Sequence, residues 1–223
     1  MILGKAGVDR AAPARAALEK GKFDWAYLLA EDGYGIDPWE RKAILAKAAT
    51  GLRRYDLAES HYRALLEHDE TPDLQCEFGM MFAAMNRTED AVFWLRKGLS
   101  RSNRNSDACG VLGRILLKQR EYTEAWQYLS TALETSFKYV DLISFLVESA
   151  MRSGRLAEVE AILARYVDFY PANADIACEY VRVLAHLDRK EEAVKRLEPL
   201  RLLHPGHSRI QELSRMLLDE AAE

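Results

Sequence analysis

Cysteine and proline are scarce in this sequence: its 223 residues include three cysteines and six prolines. An odd number of cysteines far apart argues against a disulfide framework, and so few prolines argue against long structureless linkers. No run of about 18 apolar residues is present, so we expect no direct membrane insertion. The first residues lack the basic stretch and long apolar core of a secretory signal. We therefore expect a cytoplasmic protein, and a fragment of a longer exported chain is the open alternative.

A strong charge of one sign is also missing. The formal net charge is -4, from 31 basic and 35 acidic residues that are spread along the chain. Such a balance exerts no general attraction on nucleic acid or on an anionic membrane surface. We therefore expect neither as a partner. Some proteins built from repeated helix pairs bind RNA, and RNA binding is a weak alternative for this chain. Those proteins carry a strongly basic face and have a repeat period that differs from the one described below.

The motifs of common catalytic and metal sites are absent as well. The sequence contains no HExxH or CxxC pattern, no calcium-binding loop and no phosphate-binding loop. His61 and His68 lie seven residues apart, but no cysteine or carboxylate completes a metal site with them. No local pattern places a base beside a serine or cysteine nucleophile. We expect no catalytic residue, no metal and no cofactor, and hence no enzymatic activity.

What the sequence does contain is an internal repeat. A small residue followed four positions later by an aromatic residue or leucine recurs five times, in steps of 33, 34, 34 and 34 residues. A second apolar pattern stands 12 to 13 residues before each copy, and turn-forming or polar residues separate the two. Apolar residues at i, i+3, i+4 and i+7 predict amphipathic helices, so each unit is a pair of helices. The small residues that define the register are Ala58, Ala91, Ala125, Val159 and Ala193.

This 34-residue helix pair resembles the tetratricopeptide repeat. The unit at 106–139 is the best match, and Val147 and Val181 depart from the family by replacing its small glycine. The resemblance implies an all-α fold, a right-handed superhelical solenoid of antiparallel helix pairs, in a bacterial member of the family. The matching residues of the best unit are Leu112, Gly113, Leu116, Tyr122, Ala125, Leu129 and Ala132.

The resemblance covers nearly the whole chain, so we expect residues 1–223 to form a single solenoid. After the last repeat, 208–222 reads as a capping helix with an apolar stripe toward the repeats and a polar face, including Arg209, toward water. We expect Trp25, Trp94 and Trp126 to serve in packing between helices. The predicted repeats are a degenerate one at 8–38 and full ones at 39–72, 73–105, 106–139, 140–173 and 174–207.

In this family the first helix of each repeat lines a concave groove, and function usually resides in its side chains. The resemblance therefore implies a protein-interaction scaffold or adaptor that binds a partner peptide or helix. The later groove reads as cationic, which favours an acidic segment or a free C-terminal carboxylate; a solvated face with incidental charges is the other interpretation. The candidate groove residues are Lys47, Met80, Arg114, Lys118, Glu148, Arg152, Arg182 and His186.

Two further alternatives stay open. The chain could be the repeat module of a larger enzyme or of an envelope or secretion assembly system, of the chaperone-like or polysaccharide-export type. It could also form a homo-oligomer through exposed apolar surface near the repeat at 140–173. The aromatic residues that suggest this second contact face are Phe137, Tyr139, Tyr166, Phe169 and Tyr170.

Overall fold

A computed structural model describes residues 9–102, 105–135 and 138–218, and the predicted contact residue Phe137 lies outside them. The chain divides into two compact units, Met1–Ser102 (unit 1) and Asn103–Glu223 (unit 2). The described residues contain thirteen α-helices and no strand. The prediction of an all-α fold is therefore confirmed.

Unit 1 consists of three helix pairs. Helices that follow one another along the chain pack together, and each pair is joined by a short turn. Asp37 and Thr71 precede the first helices of two pairs and accept hydrogen bonds from backbone N–H groups of the first turn, while Pro38 and Pro72 start those helices. The helices are α1 (Ala12–Glu19), α2 (Phe23–Glu31), α3 (Pro38–Gly51), α4 (Tyr55–His68), α5 (Pro72–Ala84) and α6 (Thr88–Arg101).

Unit 2 consists of three further pairs and a final helix. The first helices α7 and α11 begin after Asn105 and Asn173, whose side chains cap them, whereas α9 follows a 3₁₀ turn at Val140–Leu142. The final helix packs against α11 and α12. The helices are α7 (Ser106–Lys118), α8 (Tyr122–Thr135), α9 (Ile143–Ser153), α10 (Leu156–Phe169), α11 (Ala174–His186), α12 (Lys190–Leu203) and α13 (Ser208–Leu218).

The repeat is visible in the backbone at the turn inside each pair. One residue there adopts a left-handed conformation in all six pairs, with φ between 58° and 73°. Glycine adopts this conformation without steric cost, asparagine and aspartate tolerate it, and other residues lose about 1–2 kcal/mol in it. Four of the six pairs nevertheless use another residue, so closure of the helix pair offsets that cost. The left-handed residues are Gly21, Arg53, Asn86, Arg120, Gly154 and Asp188.

Small residues set the distance between the helices of a pair. All five residues that define the sequence register are fully buried. A Cβ atom on Gly79 would lie 2.8 Å from Leu95 Cγ, and one on Gly113 would lie 2.6 Å from Leu129 Cγ. These two hairpins therefore need glycine for close approach.

The tryptophans do not share one role. Trp94 is half-buried, with its ring 5.0 Å from that of Phe78, and Trp126 is half-buried beneath the Arg155 guanidinium. Trp25 is 57% exposed, so the prediction that it serves in packing is wrong. It stands one position before Ala26, which is fully buried. The three cysteines are buried.

Candidate functional site

The structure divides the eight candidate groove residues between the two units. Lys47 on α3 and Met80 on α5 lie in unit 1, and the other six lie on α7, α9 and α11 of unit 2. Lys47 Nζ forms an ion pair of 2.7 Å with Glu77, and Met80 is half-buried. In unit 1 the predicted cation is therefore neutralised by its neighbour on the next first helix.

In unit 2, Arg114 and Lys118 lie one turn apart on α7, and both are exposed. Arg152, at the end of α9, is exposed as well. No carboxylate among the described residues forms an ion pair with any of these three cations. Their charges are therefore available to a partner.

A cleft of about 490 Å³ lies between α9, α11 and α13 of unit 2. It brings together three of the candidate residues, Glu148, Arg152 and Arg182. A neighbouring cavity of about 260 Å³ contains a fourth candidate, His186, and shares the Arg182 wall. The residues that line the larger cleft are Ser144, Glu148, Met151, Arg152, Glu179, Arg182 and Arg209.

The wall between the two cavities is an ion-pair network around a buried carboxylate. The side chain of Glu179 is 7% exposed and accepts hydrogen bonds from Arg182 and from Arg209 Nη1, the latter at 3.2 Å. Arg209 also lies 3.6 Å from Asp175. Arg182 Nε is buried and has no hydrogen-bond partner among the described residues. The network holds the Arg182 guanidinium in place through its charge-assisted hydrogen bond to Glu179.

The sequence analysis missed Glu179. Its placement of Arg209 on the exposed face of the capping helix is correct, but it did not predict the ion pair that this half-exposed side chain forms with Glu179. Arg209 reaches back across α11 because Glu179 there is buried and requires cations around it. A signal existed in the repeat register: Arg209 stands 34 residues after Asp175, so the second residue of the first helix changes from acidic to basic at α13. The capping helix thus forms one wall of the cleft.

The titratable groups that the structure describes in unit 2 include two buried thiols. Burial raises the pKa of the Cys109 and Cys178 thiols to about 11, so both stay protonated near neutral pH. The part of the chain that the structure describes holds no cluster of three or more potential metal ligands. Within the same residues, none of the helices combines the length and apolarity needed to cross a bilayer.

Comparison with known proteins finds a family model that matches part of the chain. The model of the tetratricopeptide repeat matches residues 150–217, which include the last part of α9 and the helices up to α13. No curated protein matches the chain. The family match therefore includes five of the seven residues that line the cleft, and Ser144 and Glu148 precede it.

Solved structures extend the likeness over almost the whole chain. The structure of pilF from Pseudomonas aeruginosa gives a TM-score of 0.67 at 17% sequence identity over 96% of each chain. YrrB, a tetratricopeptide-repeat protein with an unusual peptide-binding site, gives 0.65 at 19% identity, over 92% of this chain and 99% of its own. PilW, a widely conserved type IV pilus biogenesis factor, gives 0.64 at 18% identity, over 92% and 96%. At such identities the likeness shows the fold.

Proposed function

Because this chain is a tetratricopeptide-repeat protein, we propose that it is a protein-interaction scaffold that binds a segment of a partner along the first helices of its repeats. Members of this family typically act as scaffolds without catalysis. A repeat of this type uses one part of each helix for stacking and leaves the rest of the first helix for recognition. The proposal includes the predicted division into a degenerate repeat, five full repeats and a capping helix.

The proposal rests on one observation. The cleft between α9, α11 and α13 is lined by side chains that are not needed to pack one repeat against the next. Met151 is half-buried in it, and Arg152 is exposed beside it. Methionine adapts its shape to different apolar groups, and arginine donates paired hydrogen bonds to acceptors. A concave site with an adaptable apolar wall and fixed donors suits a peptide segment.

In unit 2 the binding surface that we propose comprises the six predicted residues there together with Glu179 and Arg209. In unit 1, Lys47 and Met80 are proposed as separate contacts. Of the predicted residues, Glu148, Arg152, Arg182 and His186 line the two neighbouring cavities of unit 2. Lys47 is the weakest member as a direct contact, because Glu77 already holds its ammonium group. We expect a partner to contact unit 2 more strongly than Lys47.

Site-specific photo-crosslinking tests the proposal. A photo-reactive amino acid at position 151 is expected to capture a partner from a lysate of the organism that the chain comes from. The matched control carries the same group at the exposed position 161 on α10, a second helix of the same unit. Capture at 151 that is lost when Arg152 is changed to Glu, with little capture at 161, supports the proposal. Equal capture at both positions, or none at 151, contradicts it.

The alternative from the sequence, a repeat module of a larger enzyme or of an envelope assembly system, stays a prediction. PilW is a pilus biogenesis factor, and its likeness to this chain at 18% identity extends to the fold. Such a module would still act by binding a partner through the same first helices. Cytoplasmic location and homo-oligomer formation likewise stay predictions, and Tyr166, one of the residues suggested for a contact face, is buried.

A further inference from the structure

The repeat register of unit 2 aligns three basic side chains in one row. Lys118, Arg152 and His186 stand 34 residues apart, each at the C-terminal end of a first helix, and all three are exposed. Building on the proposed function, we propose that this row, the basic row, binds an extended acidic segment of a partner whose carboxylates recur at every third residue.

The spacing of the helices selects this ligand. Helix α9 packs against both α7 and α11, so the three members of the row lie on successive neighbouring helices. Packed helices have axes about 8–10 Å apart. A polyproline II segment advances about 9 Å over three residues and returns its side chains to the same face. Acidic residues at i, i+3 and i+6 of such a segment therefore meet one member of the row each.

A second row, one helical turn earlier, sharpens the specificity. It consists of Arg114, Glu148 and Arg182, which are also 34 residues apart. Glu148 repels carboxylates that stray from the basic row, and Arg182 is already held by Glu179. The basic row thus attracts the carboxylates of the ligand, and Glu148 in the second row disfavours carboxylates at other positions.

The favourable interaction of cations with helix dipoles does not explain why the basic row is present. Cations in the last turn of a helix are favourable there, and this alone would put a basic residue at each helix end. The equivalent positions of unit 1 are Gly51 and Ala84, and neither α3 nor α5 has a basic residue in its last turn. Helices of the same repeat type therefore end stably without the cation, which leaves the basic row for binding.

Fluorescence anisotropy with two labelled undecapeptides tests the inference on the full chain. One peptide carries aspartates at positions 3, 6 and 9 in a background of proline and serine, and its isomer carries them at positions 5, 6 and 7. We expect the spaced peptide to bind at least about three-fold more tightly, since each exposed ion pair contributes about 0.2–1 kcal/mol. Equal affinity of the two isomers, or no binding, overturns the inference.

Some variants should weaken peptide binding and one should strengthen it, which distinguishes a loss of binding contacts from a folding defect. Lys118→Gln and Arg152→Gln are each expected to weaken the spaced peptide about two- to five-fold. Arg201→Gln, which removes an exposed last-turn cation of the second helix α12, is the matched control and should leave affinity unchanged. Glu148→Gln should strengthen binding, an outcome that misfolding does not produce. A loss on Glu148→Gln, or equal losses in all variants, overturns the inference.

Two other results have distinct meanings. An oligouridylate that binds more tightly than the spaced peptide would assign the basic row to nucleic acid and overturn the inference. Photo-capture at position 151 with no preference between the peptide isomers would leave the scaffold function supported and refute the acidic ligand alone. Absence of both photo-capture and peptide binding would contradict the two proposals together.

Discussion

The two units fill their helix pairs with different side chains. In unit 1 aromatic rings contact one another: Phe78 lies 4.5 Å from Phe82 and 5.6 Å from Tyr62 between ring centroids. Unit 2 buries mainly leucines. Two of its buried tyrosines are tied by hydrogen bonds, Tyr166 to the Leu133 carbonyl and Tyr180 to Glu160. The space beside the small residues of each repeat must therefore be filled, and either aromatic rings or branched aliphatic side chains can fill it.

The two units also differ in the charged side chains of their first helices. Unit 1 neutralises its one predicted cation with a carboxylate on the next first helix. Unit 2 buries one carboxylate, Glu179, under two arginines and leaves three other cations exposed. Lys47 of unit 1 is therefore paired, whereas Arg114, at an equivalent repeat position of unit 2, keeps its charge available. Four changes break or sharpen this contrast.

The largest effect is expected from Phe78→Ala. This ring contacts three other aromatic residues, so its loss leaves a cavity and should lower the free energy of unfolding by about 3–5 kcal/mol. Because each repeat contacts only its neighbours, amide hydrogen exchange should accelerate in α3 to α6 more than in α9 to α12. Leu146→Ala is the counterpart and should accelerate exchange in unit 2. Uniform acceleration in both variants would contradict the expectation that a repeat affects mainly its neighbours.

Adding a methyl group to a glycine should affect the units unequally. A Cβ on Gly98 would lie 2.7 Å from the Pro72 carbonyl oxygen and 3.0 Å from Cys76 N, both backbone atoms. Gly98→Ala should therefore cost about 1–3 kcal/mol, because backbone atoms move only with their helix.

Gly110→Ala in unit 2 is the matched change. The added Cβ would lie 2.7 Å from Cδ1 of Leu142, the end of a flexible side chain. We expect a cost below about 1 kcal/mol, because this leucine can change rotamer. Urea denaturation of both variants measures the difference, and a larger cost for Gly110→Ala would refute the argument from backbone contact.

Removing the buried charge of unit 2 should cost more than removing its counterpart in unit 1. Glu179→Gln leaves Arg182 and Arg209 without their shared carboxylate, and we expect a loss of about 1–2 kcal/mol after allowing for the partial exposure of both arginines. Glu77→Gln breaks the exposed pair with Lys47 and should cost at most about 1 kcal/mol. Equal losses in thermal unfolding would show that the Glu179 network is no stronger than a surface pair.

The smallest effect concerns an exposed pair of unit 1. The hydrogen bond from Lys97 lowers the pKa of Glu70 below its ordinary value. A carboxylate with a lowered folded-state pKa stabilises the fold above its unfolded-state pKa, and this contribution is lost as the pH falls through the folded-state value. Lys97→Gln should therefore raise the Glu70 pKa in an NMR titration. An unchanged titration curve would show that the pair does not persist in solution.

Much of the fold was predictable from local pattern. The recurrence of a small residue every 33 or 34 positions located the helix pairs, and the structure buries Ala58, Ala91 and Ala125 as that pattern predicts. This succeeds because burial of one helix face requires apolar residues at the helical period, whatever the neighbours are. The all-α fold and the likeness to tetratricopeptide-repeat proteins followed from the same signal.

The sequence by itself thus determined the helices, their pairing and which face of each is buried. Only the tertiary structure decided that Arg209 contacts Glu179, 30 residues away, that Glu77 neutralises Lys47, and that Trp25 is exposed. Apolar periodicity is a property of one helix, whereas the partner of a charge depends on which side chain the next helix brings within about 4 Å of it. For this reason the cleft between α9, α11 and α13 became visible only in the folded chain.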